Sequence, residues 1–409
     1  MSLEFRNFVR DPYDTTMAML VRCGSPESFF ALTEQVFANQ ASIFEGLKPV
    51  GPELQAANLR CFTEFSLTPV SGVNLLLGEN GAGKTSIIEA IHILGYGRSF
   101  RGRIRDGLIK QGASALQITT RWQDTQGAAH QAGLSHSGND WQARQDGADV
   151  DNLSQFCSHF PVLSFEPGSH ALISGPAENR RRFLDWALFH VEPGFYAQWR
   201  RYNRALKQRN ALLKTQPKTE TLAAWDHEFA ESGEAIHFFR QHYLDRFSPA
   251  FQTISREFLP ECGTATISYA AGWRQSQMSL LDALRLNRDR DLQTGFCGVG
   301  PHRADWQAGL EGQLQQEHFS RGQAKLLALS ALLAQAQQFL AEKHFWPILC
   351  FYDLASELDS GHFKRVLRWL SGTQTQIWIS GTENLPIYTQ IFPALKLFHV
   401  EQGRISSTR

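Results

Sequence analysis

The most constraining feature of the sequence is a glycine-rich octapeptide, GENGAGKT, at Gly78–Thr85. It follows the apolar run VNLLL at 73–77 and precedes SIIEAIHILGYG, in which isoleucine and leucine recur at helical spacing. An apolar run closed by glycine predicts a buried strand, so the expected order is strand, loop and helix. In that order, the loop amides and the positive end of the helix face phosphate oxygens. The octapeptide therefore predicts a nucleotide-binding loop.

Residues within this loop have separate expected roles. Lys84 is expected to bridge the β- and γ-phosphates of ATP and to act in catalysis, and the Thr85 hydroxyl is expected to ligate Mg²⁺. The complete motif between a strand and a helix is far more specific than a glycine-rich turn alone. ATP and Mg²⁺ are thus the predicted cofactors, and the predicted nucleotide-binding residues are Gly78, Glu79, Asn80, Gly81, Ala82, Gly83, Lys84 and Thr85.

A second motif, PILCFYDLASELD at 347–359, is typical of an apolar strand that ends in an acidic residue. Asp353 is the candidate catalytic acid of this motif. About 270 residues separate it from Lys84, far more than separate the two motifs in compact GTPases. The spacing predicts a large insertion between two halves of one sheet.

The tetrapeptide SRGQ directly precedes a helix rich in alanine and leucine at 326–344. A serine, a glycine and helix amides together favour a second phosphate cradle, and an ordinary helix cap is the alternative. Two cradles on one chain predict a head-to-tail homodimer that closes on ATP, with SRGQ of one subunit over the nucleotide of the other. The residues of this candidate cradle are Ser320, Arg321, Gly322 and Gln323.

Composition limits the remaining classes of function. The 409 residues are 42% hydrophobic and 20% charged, enough for a sizeable core in two or three lobes. Forty basic and forty acidic residues give a net charge of zero, so only a local basic cluster could bind nucleic acid. No apolar stretch reaches the ~18 residues of a membrane helix, so a soluble protein without a membrane partner is expected. A reducing interior is favoured by six scattered cysteines without a CxxC pair: Cys23, Cys61, Cys157, Cys262, Cys297 and Cys350.

With these motifs together, the chain from about Leu54 to its C-terminus resembles the RecF family of recombination and repair ATPases, relatives of ABC-type and SMC-type heads. The supporting segments are NLRCF at 58–62, GENGAGKTSIIEAIHILGYGRSFR at 78–101, NRRRFLDW at 179–186, YNRALKQRNALLK at 202–214, GPHRAD at 300–305, SRGQAKLLALSALLAQA at 320–336 and ASELD at 355–359.

The resemblance implies an α/β fold: a P-loop ATPase lobe with a mixed sheet, like an ABC or SMC head, plus an inserted, mainly helical lobe. The expected division is an N-terminal extension (1–53), the first part of the ATPase lobe (54–170), the helical lobe (171–295) and the second part (296–409). It further implies ATP-dependent dimerisation, binding to single-stranded DNA and single-strand/double-strand junctions in gapped duplex, and recombinase loading with RecO and RecR. DNA replication, repair and the SOS response are the implied setting.

Tyr352 departs from the family pattern. ABC-type sites end the acidic strand with two adjacent acids, the first for the Mg²⁺ shell and the second for the attacking water. Alignment on ASELD places Tyr352 at the first position and Asp353 at the second, while a shift by one residue leaves Leu354 at the catalytic position. One acid is missing in either register, because tyrosine with a pKa of ~10 is a poor ligand for a hard cation.

Candidate DNA contacts lie where basic residues cluster. No acid occurs between Tyr196 and Lys214, and the predicted helix there places Arg200, Arg204, Lys207 and Lys214 on one face. Trp199, Tyr202, Leu206 and Leu213 are expected to form its packing stripe, and Arg180, Arg181 and Arg182 precede it. A second candidate is GRSFRGRIR, with Arg98, Arg101, Arg103 and Arg105. A solvated basic face, or arginines paired with acids elsewhere, is the alternative.

Other positions leave alternatives open. His302 and Arg303 are expected near the nucleotide or the dimer seam, or packed in a turn under the helical lobe. Thr382 is expected where ABC ATPases carry a switch histidine. Two rival functions are an ABC-type transport ATPase, disfavoured because SRGQ replaces LSGGQ, and a nucleotide-binding DNA scaffold that no longer hydrolyses ATP.

Overall fold

A computed structural model describes residues 53–101, 107–123, 128–215, 219–311 and 319–408. Two six-stranded sheets and a helical region form the part of the chain that lies within these ranges. The expected N-terminal extension, except for residue 53, lies outside the described residues.

The first sheet is antiparallel throughout, in the order β2-β1-β4-β5-β6-β7. Strands β4 to β7 follow one another along the chain as hairpins. Strand β1 ends at Ala57, because Asn58 and Arg60 adopt positive φ values of 56° and 54° and turn the chain. The strands are β1 (Glu53–Ala57), β2 (Glu64–Leu67), β4 (Leu116–Gln123), β5 (Ala129–His136), β6 (Trp141–Gln145) and β7 (Ala148–Val150).

The second sheet, called the central sheet below, has the order β14-β13-β3-β12-β11-β8, and only β14 runs antiparallel to its neighbour. It joins strands from both ends of the chain, as the long spacing between the motifs predicts. The strands are β3 (Val73–Leu77), β8 (Val162–Phe165), β11 (Ile348–Phe351), β12 (Ile377–Gly381), β13 (Lys396–Glu401) and β14 (Arg404–Thr408).

Apolar runs bury the middle of the central sheet. All five residues of β3 are buried, as are all residues of β11 and β12. Asn74 is the polar exception in β3, and its amide is satisfied because it accepts from Val70 N at 2.8 Å and donates to Val70 O at 2.9 Å. Because these strands are buried along their whole length, their carboxyl ends are held in place. Both nucleotide motifs lie at those ends.

Helices cover the sheets and build the helical region. A further strand pair, β9 (Ala265–Ala270) and β10 (Asp305–Leu310), packs with them. The helices are α1 (Lys84–Tyr96), α2 (Leu153–Ser158), α3 (Ala171–Ser174), α4 (Ala177–Val191), α5 (Phe195–Leu213), α6 (Thr219–Phe258), α7 (Leu280–Leu286), α8 (Arg288–Thr294), α9 (Arg321–Lys343), α10 (Leu354–Glu357), α11 (Ser360–Ser371) and α12 (Pro386–Ile391), with 3₁₀ turns at Pro260–Cys262 and Pro301–Arg303.

Long-range ion pairs hold the helical region together. Arg209 of α5 is fully buried and donates to Asp226 at 2.8 Å and to Asp291 at 2.7 Å. Arg180 of α4 pairs with Asp305 of β10 at 2.6 Å. Breaking such a pair would leave an uncompensated buried charge, so these arginines are structural. None of the helices in the described ranges is long and apolar enough to cross a membrane.

Candidate nucleotide-binding site

The phosphate loop leaves β3 at Gly78 and enters α1 at Lys84, in the strand, loop and helix order that the sequence predicts. Glu79, Asn80 and Gly81 are exposed, whereas Ala82 is buried and its carbonyl accepts from Gly403 N at 3.2 Å. The crown of the loop is therefore open while its base is fixed to the turn between β13 and β14.

Two glycines of the loop have no room for a side chain. A Cβ at Gly78 would lie 2.1 Å from the carbonyl oxygen of Val400, and one at Gly83 would lie 2.7 Å from the ring of Phe62. Gly83 also has φ +118°, a conformation that L side chains rarely adopt. Phe62, from the segment NLRCF, thus forms the floor under the last glycine of the loop.

Lys84 is 5% exposed and its ammonium group lies inside the loop. Its Nζ donates to the carbonyls of Gly78 at 2.6 Å and of Glu79 at 2.9 Å. Burial lowers the pKa of Lys84, and the nearby Asp353 carboxylate opposes that shift. Lys84 and Asp353 therefore lie close enough for their charges to interact, although about 270 residues separate them in the sequence.

The start of α1 provides the amides that an anion requires. Gly83 N, Lys84 N and Thr85 N donate no backbone hydrogen bond to any residue in the described ranges. Because the first amides of a helix lack partners within it, and its dipole is positive there, this end suits a phosphate group. Thr85, the predicted metal ligand, is half-buried beside these amides.

Asp353 follows β11 in an unusual backbone conformation, with φ 41° and ψ 44°. Its amide donates to the Ser380 hydroxyl on β12 at 3.1 Å, and β12 pairs directly with β3 beside the phosphate loop. Its Oδ1 is buried and has no hydrogen-bond partner in the described part of the chain. A buried carboxylate oxygen without a partner suits a hard cation or a polarised water.

Tyr352, by contrast, does not fit a metal site. It is 4% exposed, and its ring packs edge-on against Phe100 at 5.0 Å. Burial raises the pKa of Tyr352 well above its usual value, so the phenol is neutral and supplies no charged oxygen. Thr85 and Asp353 thus fit Mg²⁺, which would supply positive charge at the phosphates, but the second acid of the pair is missing.

One ionic contact near the loop could not be assigned from the sequence. Arg60, in the NLRCF segment, forms a bidentate pair with the fully buried Glu89 of α1 at 2.7 and 2.9 Å. The Ser99 hydroxyl donates to the same carboxylate. This pair fixes the turn that carries Phe62 against α1. The only sequence signal is an arginine in NLRCF and an acid one turn after Thr85.

The SRGQ residues begin α9 as a capping box. The Ser320 hydroxyl accepts from Gln323 N at 3.2 Å, and the Gln323 side chain accepts from Ser320 N at 2.9 Å. Ser320, Arg321 and Gly322 are exposed. SRGQ therefore caps α9, and the exposed surface of Ser320, Arg321 and Gly322 leaves the predicted cradle available to a partner.

The basic residues of the candidate DNA-binding helix divide into two sets. Arg201 pairs with Glu228 at 2.6 Å and Glu231 at 3.0 Å, and Arg209 is buried in its own ion pairs. Arg200, Arg204, Lys207 and Lys214 are exposed on one face of α5, as the sequence predicts.

One neighbouring expectation is wrong, because Trp199 is 37% exposed and does not belong to the packing stripe of α5. The three arginines of the segment before α5 have protein partners, as the alternative expects: Arg180 pairs with Asp305, Arg182 pairs with Glu178, and Arg181 donates to the Ala304 carbonyl at 2.8 Å.

Other candidates lie elsewhere. Arg101 is exposed, whereas Arg103 and Arg105 lie outside the described residues. His302 Nδ1 forms a hydrogen bond with the Tyr202 hydroxyl, 2.6 Å away. Burial lowers the pKa of His302 to about 4. Both observations favour the expectation that His302 packs under the helical region over the expectation that it contacts the nucleotide. Thr382 is exposed after β12.

The loop, the central sheet and the inserted helices define a P-loop ATPase head of the ABC and SMC type. A family described as an AAA domain matches residues 53–138. Among solved structures, one described as "Structure of the recombination mediator protein RecF-ATP in RecFOR pathway" has a TM-score of 0.79 at 24% identity, covering 89% of this chain and 99% of that one. An Smc head domain from Pyrococcus furiosus has a TM-score of 0.55 at 14% identity, covering 88% and 96%.

Curated relatives give the family. The "DNA replication and repair protein RecF" of Stenotrophomonas maltophilia is 51% identical over 352 residues, 85% of this chain and 96% of the relative. The protein of the same name from Xanthomonas oryzae pv. oryzae is 50% identical over 86% of this chain and 98% of the relative. The chain therefore belongs to the RecF family, which confirms the resemblance and the fold class.

Proposed function

We propose that this chain is an ATP-binding DNA repair and recombination protein that closes as a homodimer on DNA when ATP is bound. The observation that carries the proposal is the meeting of two distant motifs at one edge of the central sheet. Lys84 lies in the phosphate loop there, and the unpartnered Asp353 carboxylate oxygen lies within its electrostatic reach. ATP would bind at this edge, with Mg²⁺ held by Thr85 and Asp353.

The dimer would be head-to-tail, with Ser320 and Gly322 of one subunit over the nucleotide of the other. The exposed first turn of the 23-residue helix α9 supports this arrangement, since it offers a hydroxyl and positive helix end to phosphate. ATP would then gate the dimer, because nucleotide contacts from both subunits exist only in the closed state.

DNA would lie against Arg200, Arg204, Lys207 and Arg101, which are all exposed. Single-stranded DNA and gapped duplex are the proposed forms. The names of the relatives and of the RecFOR-pathway neighbour support action with RecO and RecR in recombinase loading at gaps. Replication, repair and the SOS response in the cytoplasm are the proposed setting. We further propose that the chain divides into four parts, with boundaries at 53/54, 170/171 and 295/296.

A second candidate function is a nucleotide-binding DNA scaffold without turnover. Tyr352 is the specific observation that favours it, because only one acid lies where two are expected. The transport ATPase has no comparable support, since the relatives are DNA replication and repair proteins.

A complementation experiment tests the dimer. Ser320→Asp retains a good helix cap and introduces a negative charge against phosphate, while Ser320→Thr is the matched control that keeps the hydroxyl. Sedimentation with ATP should show dimers for the wild type and Ser320→Thr, and monomers for Ser320→Asp and Lys84→Ala. Mixing the last two should restore dimers, because one of the two sites is then intact. Dimerisation of Ser320→Asp alone, or no rescue on mixing, would contradict the head-to-tail arrangement.

ATP-dependent retention on gapped duplex tests the function itself. The wild-type chain should remain on immobilised gapped DNA longer with ATP than without it, and Lys84→Ala should lose that difference. Equal retention with and without ATP in the wild type would exclude a nucleotide-gated clamp.

A further inference from the structure

One exposed ring on α5 does not follow the packing that the sequence predicts. Trp199 is 37% exposed, and it lies parallel to Tyr196 with ring centroids 6.3 Å apart and an interplanar angle of 14°. Tyr196 is fixed in turn by an edge contact with Phe189 of α4. The indole therefore rests on a rigid aromatic support while one side of it faces solvent.

The same face carries positive charge. The Arg200 guanidinium lies 5.9 Å from the centre of the Tyr196 ring, and the Arg204 guanidinium lies 6.0 Å from the Trp225 ring. Arg200, Arg204 and Lys207 form no ion pair with another described residue, and the sequence has no acid between 193 and 219. We call Tyr196, Trp199, Arg200, Arg204 and Lys207 the aromatic-basic face.

The orientation of this face is set by α6. Arg201 is held by Glu228 and Glu231 of α6, and Arg209 is held by Asp226. Glu228 also interacts electrostatically with Arg204, but both of its carboxylate oxygens accept from Arg201. Arg204 therefore forms no ion pair of its own with a described residue.

A second ring and cation continue the face at the far end of α5. The Lys214 ammonium lies 4.9 Å from the centre of the Phe296 ring, and Phe296 is 52% exposed. From Trp199 to Lys214 the helix rises about 22 Å. Two of the large exposed hydrophobic side chains in the described ranges, Trp199 on α5 and Phe296 after α8, thus lie near the two ends of α5.

We propose that the aromatic-basic face binds unpaired bases of single-stranded DNA, with Trp199 as a stacking platform and the cations on the phosphates. Every base offers a π-face, so aromatic rings between cations suit single strands without regard to sequence. Duplex DNA hides its base faces, so an exposed indole would have nothing to stack on there. The inference rests on the proposed DNA-binding function and specifies which form of DNA this face takes.

Three fluorescently labelled probes of equal length separate stacking from charge: a thymidine oligonucleotide, the same backbone with abasic residues, and a blunt duplex. Anisotropy titrations of the full chain at one fixed salt concentration give the three affinities. Wild-type chain should prefer the thymidine oligonucleotide over the abasic one by about tenfold, the gain from stacking roughly one base.

Trp199→Ala should remove that preference and leave the abasic and duplex affinities within about twofold, because no charge is lost. Trp199→Phe should retain most of the preference, and Phe238→Ala, at another 37% exposed ring, should change nothing. The paired charge reversal Arg200→Glu with Arg204→Glu should weaken binding to all three probes.

The outcomes distinguish this inference from the function on which it rests. Wild-type chain that binds the thymidine and abasic probes equally, or a Trp199→Ala chain that loses affinity for all three probes alike, would overturn base stacking and leave DNA binding intact. Wild-type chain that binds none of the probes would overturn both.

Discussion

The phosphate loop and the end of β11 lie at the same edge of the central sheet, yet only the first is complete. The loop has glycines where a Cβ would clash, a buried lysine, and helix amides without backbone partners in the described ranges. The end of β11 has one acid, Asp353, and next to it a neutral tyrosine in an aromatic contact.

This difference means that the site has what ATP binding requires but lacks part of what ATP hydrolysis requires. Loop amides and Lys84 are sufficient to hold phosphates, because their contribution is electrostatic and does not require the acid pair. Metal retention and water activation both require carboxylates, and one carboxylate cannot occupy two positions. Binding of ATP without rapid turnover is the behaviour that this pairing predicts.

The strongest test of the complete loop is Lys84→Ala. The side chain is buried and its charge is aimed at the phosphates, so its removal should weaken ATP binding by about a hundredfold, or about 3 kcal/mol. Isothermal titration calorimetry measures the loss. Lys364→Ala, an exposed lysine on α11, is the control and should bind ATP as the wild type does. If Lys84→Ala binds ATP normally, the loop is not the site.

A pair of glycine substitutions sharpens the description of the loop. Gly83→Ala meets the Phe62 ring and a positive φ, so the free energy of unfolding should fall by about 2 kcal/mol. Gly81→Ala has φ +83° but nothing within 4 Å of its Cβ, and should lose about 1 kcal/mol from backbone strain alone. Urea denaturation compares the two, and equal losses would mean that Phe62 moves aside without cost.

The loop was predictable from the sequence because all of its determinants are local. Strand β3, the glycines and α1 are consecutive, and the apolar run at β11 is equally evident. Their meeting across one sheet followed from the long spacing between the two motifs. The short β1 was not predicted, because positive φ values at Asn58 and Arg60 depend on the contact of Arg60 with Glu89.

The helical region was less predictable because its decisive partners are distant. Helical periodicity places Arg200 and Arg201 on different faces, but only the position of Glu228 on α6 shows which of them is neutralised. Likewise, the pairing of Arg180 with Asp305 spans 125 residues. Trp199 was assigned to the packing stripe because an aromatic residue at helical spacing is usually buried.

Tyr352→Asp tests the incomplete end of β11. A second carboxylate beside Asp353 should hold a hard cation, so the ratio of ATP affinity in Mg²⁺ to that in EDTA should rise about tenfold over the wild type. Tyr352→Phe keeps the buried ring and should leave the ratio unchanged. Because each ratio is taken within one variant, a loss of stability does not affect it. A large ratio already present in the wild type would show that Asp353 and Thr85 suffice.

The smallest expected effect concerns Glu166, the residue that follows β8. It lies close to Tyr352, because the preceding residue, Phe165, accepts a hydrogen bond from Tyr352 N at 2.9 Å. Burial raises the pKa of Glu166 to about 7, from a usual value of about 4.3. The folded chain therefore retains a proton that the unfolded chain releases, and this stabilisation is complete below pH 4.3 and lost as the pH rises through 7.

Glu166→Gln keeps the shape and removes the titration, so its urea midpoint should equal that of the wild type at about pH 4, below the unfolded pKa, and exceed it at pH 8. We expect a gain of about 1 kcal/mol at pH 8, since the partly exposed carboxyl is screened by solvent. If the urea midpoints of the wild type and Glu166→Gln differ by the same amount at both pH values, a cation neutralises Glu166 at this edge. The acid beside Tyr352 would then be available as a metal ligand, and the contrast between the two ends of the site would be smaller than their sequences suggest.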